Sequence, residues 1–307
     1  MRNKSILAFF ITFVFACEKT VTVDVPVEPR KLVLNGLIRN TTAFRVTVSQ
    51  SAGILDFTTT DSFRLKTALV QLYENDVLRD TLVYDSTSEV YTTRRNVTAR
   101  QGNKYKLVVA APDFSPAEAE TRSPLPTPII SVRRTPNAKK DADGNSLDEV
   151  RIVFKDDPLK TNFYLFRFRR PVSSGNLTPA YNGIGCMRSS DVDIERRNNN
   201  DPVDSDNCIN QQFFMTDVNF AGREKEVVLF INHADLQPYV TQLTNRAYRP
   251  FFELQSITED HYKYLRSYYT YRDADGNPFA EPVLVYNNVI NGYGIFAAFD
   301  VARDSIR

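Results

Sequence analysis

The sequence predicts an all-β protein made of two β-sandwich-like domains, with one or two short helices in the second domain. Three observations support this fold class. From Val21 onward, polar and apolar residues alternate with a period of two, β-branched and aromatic side chains are abundant, and turn-forming residues interrupt the pattern at short intervals. Because successive side chains of a strand point to opposite faces, each such segment buries one face of a sheet.

A leader for export precedes the β pattern. Arg2 and Lys4 supply positive charge, and residues 6–16 form an apolar run shorter than the roughly 20 residues that a membrane-spanning helix requires. Ala16 has the small side chain that a signal peptidase accepts, and Cys17 follows it directly. We therefore predict cleavage before Cys17 and lipidation of its thiol. An ordinary signal peptide followed by a chance cysteine is the alternative.

The predicted domain organisation follows from this leader and from the strand pattern. Residues 1–16 are the signal peptide, residues 17–26 a lipidated tether, residues 27–122 the first β domain, residues 123–128 a proline-rich linker and residues 129–307 the second domain. The full chain carries 38 basic and 37 acidic side chains. This near-neutral balance argues against a nucleic acid partner, because proteins that bind phosphate backbones carry an excess of basic residues on one face.

The first domain has the strand number and spacing of an immunoglobulin-like or fibronectin-like sandwich. Asn75 and Asp76 form a short turn between two strands, and Gly102 marks a turn just before another strand. The predicted strands of this domain are residues 31–38, 44–50, 65–74, 77–84, 89–94 and 104–110.

The linker contains prolines at positions 124, 126 and 128, and each removes a backbone donor and biases the preceding residue towards an extended form. A stiff linker or a crossing edge strand fits this segment. In the second domain, helix is expected near residues 234–240 and over residues 258–271, where Glu259 and Asp260 favour the N-terminal end of the helix dipole. The predicted strands begin at Ile129 and include residues 150–155, 163–170, 212–217, 226–232 and 250–256.

Two thiols remain once Cys17 carries lipid. Cys186 and Cys208 are predicted to form a disulfide, because an exported protein folds in an oxidising compartment. Two free cysteines are the alternative. A metal site is poorly supported, since no histidine lies between the two cysteines and their spacing does not fit a zinc knuckle.

Two segments have the alternating oxygen-bearing side chains that a calcium ion prefers. Both lack a glycine at the sixth position of the loop and a glutamate at the twelfth. We interpret them as Asp-Gly turns and keep their side chains only as weak metal candidates. These side chains are Asp141, Asp143 and Asn145 in the first segment and Asp273, Asp275 and Asn277 in the second.

The segment between Cys186 and Cys208 is long and polar. Its acidic residues are partly offset by arginines, so a solvated loop is the simplest interpretation. A loop closed by a disulfide on a β scaffold is also a favourable place for a partner to bind. The candidates for partner binding are Asp191, Asp193, Arg196, Arg197 and Asp204.

Catalytic motifs are not evident in the sequence. The chain has two histidines, His233 and His261, and neither lies in a recognisable nucleophile elbow, phosphate loop or metalloprotease helix. We expect a structural or solvent-facing role for each histidine, no enzymatic activity and no cofactor. A glycosidase remains compatible with this pattern, because it needs only two suitably placed carboxylates.

Several motifs at the two ends of the chain form a specific set. The C-terminal motifs are GNPFAEP at residues 276–282, NNV at 287–289 and NGYGIF at 291–296, and the N-terminal ones are CEK at 17–19, KLVLNG at 31–36 and residues 49–56. Together these motifs resemble a Bacteroidota outer-membrane lipoprotein family that is catalogued as a domain of unknown function (4249). Physically, Gly292 and Gly294 permit close backbone approach, and Ile295, Phe296 and Phe299 are apolar anchors for a final strand. The resemblance implies an association with TonB-dependent outer-membrane receptors and hence a role in uptake.

These observations favour one function and leave two alternatives. We expect a lipid-anchored, non-catalytic protein of the outer membrane, on its periplasmic or its surface face, that binds a ligand or a receptor partner of a TonB-dependent uptake system. The first alternative is a structural or adhesive envelope lipoprotein. The second is an enzyme that acts on glycans or peptides.

Overall fold

The described part of the chain is built mostly of β-strands and folds in a sandwich-like manner with one α-helix near its C-terminal end, as predicted. The predicted signal peptide, Cys17 and the predicted tether lie outside the described residues. The computed structural model describes residues 29–53, 63–95, 97–174, 178–184, 186–195, 212–241, 244–274 and 279–306.

The described residues form eighteen strands, one α-helix and a short 3₁₀ turn at His233–Leu236. The helix α1 spans Glu259–Ala274. The strands are β1 (Leu32–Ile38), β2 (Arg45–Gln50), β3 (Leu69–Glu74), β4 (Val77–Asp85), β5 (Val90–Thr92), β6 (Lys104–Ala110), β7 (Ala117–Arg122), β8 (Ile129–Lys140), β9 (Ser146–Lys155), β10 (Phe163–Val172), β11 (Ala180–Ile184), β12 (Met187–Arg188), β13 (Gln212–Thr216), β14 (Glu224–Asn232), β15 (Tyr239–Val240), β16 (Ala247–Tyr248), β17 (Phe251–Ile257) and β18 (Gly292–Ser305).

One large sheet runs through both halves of the chain. Its hydrogen-bonded order is β11-β10-β17-β18-β1-β2-β5-β4-β3-β6-β7, and β13 pairs with β10 outside this path. A second sheet has the order β12-β14-β9-β8, and β15 pairs with β16. The two halves of the chain therefore share one continuous ladder of hydrogen bonds.

The N-terminal half buries alternate residues, as the period-two pattern predicts. Leu32 and Leu34 of β1 have no exposed surface, and they pack in one core with Leu72 of β3 and Val109 of β6. Since strands distant along the ladder share this core, the sheet path curls into two facing layers. The predicted hairpin is confirmed: Glu74 pairs with Val77 across a two-residue turn whose central residues have positive φ.

The C-terminal half buries both faces of its central strands. Residues 252–257 of β17 are all buried: Phe252 and Leu254 pack against the second sheet, and Ile257 packs on the opposite face in a core that α1 shares. Phe154, Phe166 and Leu254 belong to the first of these cores, and Tyr262 of α1 contributes to the second. The predicted helix over residues 258–271 is confirmed, and the predicted helical turn near residue 234 is the 3₁₀ turn.

The last strand joins the two halves. β18 pairs with β17 in antiparallel register and with β1 in parallel register, in which Leu34 lies opposite Gly294. A Cβ atom at Gly294 would lie 2.0 Å from the Leu34 carbonyl oxygen, and one at Gly292 would lie 2.6 Å from that of Leu32. The predicted close backbone approach at these two glycines is confirmed.

The proline-rich segment at residues 123–128 has no regular secondary structure, but it is held in place. Ser123 and Thr127 are buried, and the Thr127 amide donates to the hydroxyl of Ser256 at 3.1 Å. The domain boundaries on either side of this segment remain a prediction. In the described part of the chain, no helix has the length and apolarity needed to cross a membrane.

Candidate functional site

An open cleft of about 440 Å³ lies where the two halves of the chain meet. The end of β7 and the proline-rich segment form one wall, with Arg122 and Ser123. The loop before β10 contributes Lys160, and the junction between β17 and α1 contributes Thr258 and Glu259. Gly102 also lines the cleft, which thus gathers residues from four segments that are remote in the sequence.

A second cavity of about 340 Å³ lies along the proline-rich segment. Leu125, Lys160 and Asn162 line both cavities, so the two adjoin at these side chains. Pro126 and Pro128 give the second cavity an apolar wall. The Leu125 side chain, 53% exposed, lies between the two cavities and presents apolar surface to both.

Asn162 fixes the loop that carries Lys160. Its backbone amide donates to Oδ2 of Asp217 at 2.8 Å, and its side-chain amide donates to the carbonyl oxygens of Asp157 and Lys160. Asp217 is itself buried, so this loop is tied to the protein interior. A loop held in this way can present a charged side chain to a ligand without a large entropic cost.

Buried Asp156 supports the floor of the second cavity. Its carboxylate accepts from the hydroxyl of Tyr164 at 2.5 Å and from the amide of Gly222 at 2.7 Å. Burial, followed by the contact with this carboxylate, raises the pKa of Tyr164 well above its usual range. The tyrosine therefore remains a neutral hydrogen-bond donor, and the pair has a structural role.

The cleft is electropositive. Arg122 and Lys160 are exposed, and no carboxylate of the described residues lies within salt-bridge distance of either one. The one acidic lining residue, Glu259, is bound by Lys263 at 2.7 Å. The cleft also receives the N-terminus of α1, which carries a partial positive charge.

Two of the predicted partner-binding residues form an internal ion-pair cluster. Nζ of Lys225 lies 2.8 Å from Oδ1 of Asp191 and 2.5 Å from Oδ2 of Asp193. The side chains of both aspartates are only about a tenth exposed, so the expectation of a solvated loop is wrong here. Burial raises the pKa of Asp193, but the hydrogen bonds from Lys225 and Asn219 outweigh it and lower the pKa.

The other predicted partner-binding residues, Arg196, Arg197 and Asp204, lie outside the described residues. Partner binding at this segment remains a prediction. Cys186 is buried just before β12, and Cys208 lies outside the described residues, so their pairing also remains a prediction.

The first calcium-like segment is the turn between β8 and β9. Oδ1 of Asp141 accepts from the amide of Asn145 at 2.7 Å, and Gly144 has a φ of 83°. These contacts confirm the interpretation as an Asp-Gly turn. In the second segment Asp273 lies near the end of α1, whereas Asp275 and Asn277 fall outside the described residues. Within the described ranges, no group of His, Cys, Asp and Glu side chains is arranged to hold a metal ion.

The two histidines have structural surroundings. His261 lies in the first turn of α1 and is buried, and burial, followed by the charge of Arg167, lowers its pKa to about 4. Nδ1 of His233 lies 3.0 Å from Oδ1 of Asp148, and its Nε2 faces the amide of Gln237. No hydroxyl or thiol among the described residues is hydrogen-bonded to His233, so the Asp148–His233 pair lacks a nucleophile there.

A comparison with protein families found a match over residues 18–305 to a family described as a domain of unknown function, DUF4249. The chain belongs to the DUF4249 family. The match begins directly after Cys17 and includes the whole of the cleft. A search of curated proteins and a search of solved structures each found no match.

The cleft of this DUF4249 chain was not predicted from its sequence. Arg122 ends a strand whose alternate buried positions are two alanines and a threonine, and Lys160 lies in a short polar loop, so neither residue belongs to a recognisable motif. The one signal in the sequence was the proline-rich segment, which marks where the two halves meet.

Proposed function

We propose that this DUF4249 protein is a lipid-anchored, non-catalytic protein of the outer membrane that binds a ligand for a TonB-dependent uptake system. The observation that carries the proposal is the open, electropositive cleft between the two halves of the chain. Clefts between structural units are the usual place for ligand sites. The predicted leader at residues 1–16, followed directly by Cys17, supports the lipid anchor, and the family match from residue 18 is compatible with it.

The contacts of the buried polar groups support binding over catalysis. Asp148, Asp156 and Lys225 are each used in hydrogen bonds or ion pairs that hold strands and turns together. The positively charged groups that line the cleft are a guanidinium and an ammonium, which bind anions but are poor general bases at neutral pH, and its one carboxylate, Glu259, is paired with Lys263. The site therefore suits recognition of a charged ligand.

The predicted tether is compatible with a position close to the membrane. Its ten residues, numbered 17–26, extend to at most about 36 Å. A single acyl chain binds a membrane only weakly, so stable anchoring requires the several chains that a mature bacterial lipoprotein carries.

Membrane fractionation tests the anchor. Cys17→Ser removes the acylated thiol and is expected to release the protein into the soluble fraction. The control is Glu18→Gln, which changes the adjacent residue, keeps the thiol and is expected to leave the protein in the membrane. Retention of Cys17→Ser in the membrane would contradict the proposal.

Affinity purification from detergent-solubilised outer membranes tests the partner. A stable complex with a TonB-dependent barrel, identified by mass spectrometry, supports a role in uptake. Recovery of surface polymers without a barrel supports the structural or adhesive alternative. Hydrolysis of glycans or peptides by the purified protein would favour the enzymatic alternative.

A further inference from the structure

We propose that the cleft between β7, the proline-rich segment and α1 binds an oxyanion group of the ligand, a carboxylate or a phosphate. The groups that bind it are the charged side chains of Arg122 and Lys160, the first amides of α1 and the hydroxyl of Ser123. This inference rests on the proposed ligand-binding function and specifies its chemistry.

The guanidinium group of Arg122 is held in place by one of its nitrogen atoms and has further donors available for a ligand. Its Nη1 donates to the carbonyl oxygen of Gly102 at 2.6 Å, which holds the guanidinium at the cleft wall. Among the described residues, its Nε and Nη2 atoms have no acceptor. The planar guanidinium group binds carboxylates and phosphates through two parallel hydrogen bonds, so the remaining donors suit an oxyanion.

Lys160 and α1 add positive potential to the same cleft. The first intrahelical hydrogen bond of α1 runs from the Tyr262 amide to the Thr258 carbonyl oxygen. The amides of Glu259 and Asp260 precede it, and they have no acceptor in the described part of the chain. Helix N-termini with free amides bind anions. The ion pair with Lys263 partly offsets the negative charge of the Glu259 carboxylate.

Ser123 is the independent observation that points to a ligand. Its side chain is 1% exposed and lines the cleft, and its Oγ has no hydrogen-bond partner among the described residues. A buried hydroxyl without a partner is costly, so native proteins usually supply one. The backbone of Ser123 is held by hydrogen bonds to Gly102 and Asn103, so the residue has a fixed position at the cleft wall.

The second cavity suggests what is attached to the oxyanion. Leu125, Pro126 and Pro128 give it apolar surface, and it adjoins the cleft at Leu125 and Lys160. A ligand with an anionic end and a partly apolar body fits the pair of cavities. A peptide with a free C-terminal carboxylate has this form, and free phosphate satisfies the anionic part alone.

Isothermal titration calorimetry on the full chain in detergent tests the proposal. The probes are an N-acetylated alanine tripeptide with a free carboxylate, the same tripeptide with an amidated C-terminus, and inorganic phosphate. Arg122→Gln and Lys160→Gln each remove one charge, and Ser123→Ala removes the hydroxyl. The matched controls are Arg133→Gln and Lys140→Gln, which remove exposed charges of β8 outside the cleft. Melting temperatures verify that each variant is folded.

We expect the free carboxylate or phosphate to bind, and binding to weaken about tenfold in Arg122→Gln and Lys160→Gln, since a charge-assisted hydrogen bond supplies about that factor. A weaker effect in the same direction is expected for Ser123→Ala, and none for the controls.

Preference for the tripeptide acid over phosphate identifies a peptide end as the source, and the reverse identifies a free anion. Absence of binding by all three probes, equal binding of the amidated tripeptide, or binding unaffected by the cleft variants would overturn the proposal. Membrane retention through Cys17 is measured separately, so the lipid anchor can be confirmed even if the anion site fails.

Discussion

Arg134 and Asp148 form a buried ion pair between neighbouring strands: Nη2 of the arginine lies 2.5 Å from Oδ2 of the aspartate, whose side chain has no exposed surface. The same carboxylate accepts from the amide of Asn137 at 2.8 Å and lies 3.0 Å from Nδ1 of His233. One carboxylate thus connects β8 and β9 with the turn that follows β14.

Asp148→Asn is expected to lower the free energy of unfolding by roughly 3 kcal/mol, because removing one partner of a buried pair leaves the other charge uncompensated. Urea denaturation measures the change. Glu226→Gln is the control, since its pair with Arg151 is nearly half exposed on both sides and its loss is expected to have no measurable effect. Equal effects of the two variants would show that burial of the Asp148 pair is unimportant.

The lowered pKa of Asp148 also predicts that the free energy of unfolding decreases at acidic pH. Burial raises its pKa, but the hydrogen bonds from Asn137, His233 and Arg134 outweigh burial and hold the pKa below its ordinary value of 3.8. A carboxyl group whose pKa is lowered on folding stabilises the protein above the ordinary pKa, and this contribution is lost as the pH falls through the lowered value. The wild-type protein is therefore expected to lose stability below pH 3.8 more steeply than Asp148→Asn.

The lowered pKa of His261 predicts a second pH range in which the stability of the protein changes. Its pKa is lowered from 6.5 to about 4 in the folded protein, mainly by burial. Between these values the unfolded chain binds a proton that the folded chain does not, so stability falls as the pH decreases from 6.5 to about 4, by up to roughly 3 kcal/mol. His261→Leu is expected to remove this slope, and His233→Gln is expected to keep it. Thermal unfolding at several pH values measures it, and an unchanged slope in His261→Leu would contradict the assignment.

Gly294→Ala is expected to prevent stable folding. The glycine has a φ of 112°, and an added Cβ would lie 2.0 Å from the Leu34 carbonyl oxygen, where it would separate β18 from β1. Gly144→Ala is the control, because Gly144 also has a positive φ but an added Cβ there would meet nothing within 4 Å. The control is expected to cost only the backbone strain, about 1 kcal/mol. Circular dichroism and the melting temperature compare the two, and similar values would refute the steric argument.

Lys225→Met is expected to destabilise the protein by roughly 3 kcal/mol, because Asp191 and Asp193 would remain buried without a counter-ion. Adding Asp191→Asn and Asp193→Asn is expected to restore most of the loss, since the repulsion then disappears. Lys155→Met, an exposed lysine at the end of β9, is the control and should have little effect. Failure of the triple variant to recover stability would show that the lysine acts through packing alone. Double-mutant cycles in urea provide these energies.

The local features of the fold were predictable from the sequence, since period-two alternation identifies strands and a two-residue turn at Asn75 and Asp76 identifies a hairpin. The first and last residues of a strand were less predictable where a side chain, and not a neighbouring strand, forms the hydrogen bonds with the backbone. The predicted strand over residues 65–74 begins only at Leu69, because the Tyr91 hydroxyl donates to the Leu65 carbonyl oxygen and accepts from the Ala68 amide. The strand β7 was missed because its buried residues are Ala117, Ala119 and Thr121, whose apolar signal is weak.

Features that depend on contacts between distant segments were not predictable. Nothing in the sequence pairs β1 with β18, and the glycines at positions 292 and 294 indicated close approach without naming the strand that approaches. The cleft also depends on contacts between distant segments. Arg122, Lys160 and the start of α1 come together only because β7, β10 and β17 meet there. The Lys225 cluster was missed because its aspartates look like ordinary loop residues in a linear sequence.

The parallel pairing of β1 with β18 also determines when the chain can fold. Phe296 and Ala298 of the last strand belong to the core that the first 120 residues build, and Gly36 packs directly beneath the Phe296 ring. The first half is therefore incomplete until the final residues have been synthesised. Contacts between opposite ends of a chain slow folding. A chain arranged in this way completes its N-terminal core only when β1 and β18 meet, and this late closure is compatible with the export that we propose, in which a polypeptide crosses a membrane before it folds.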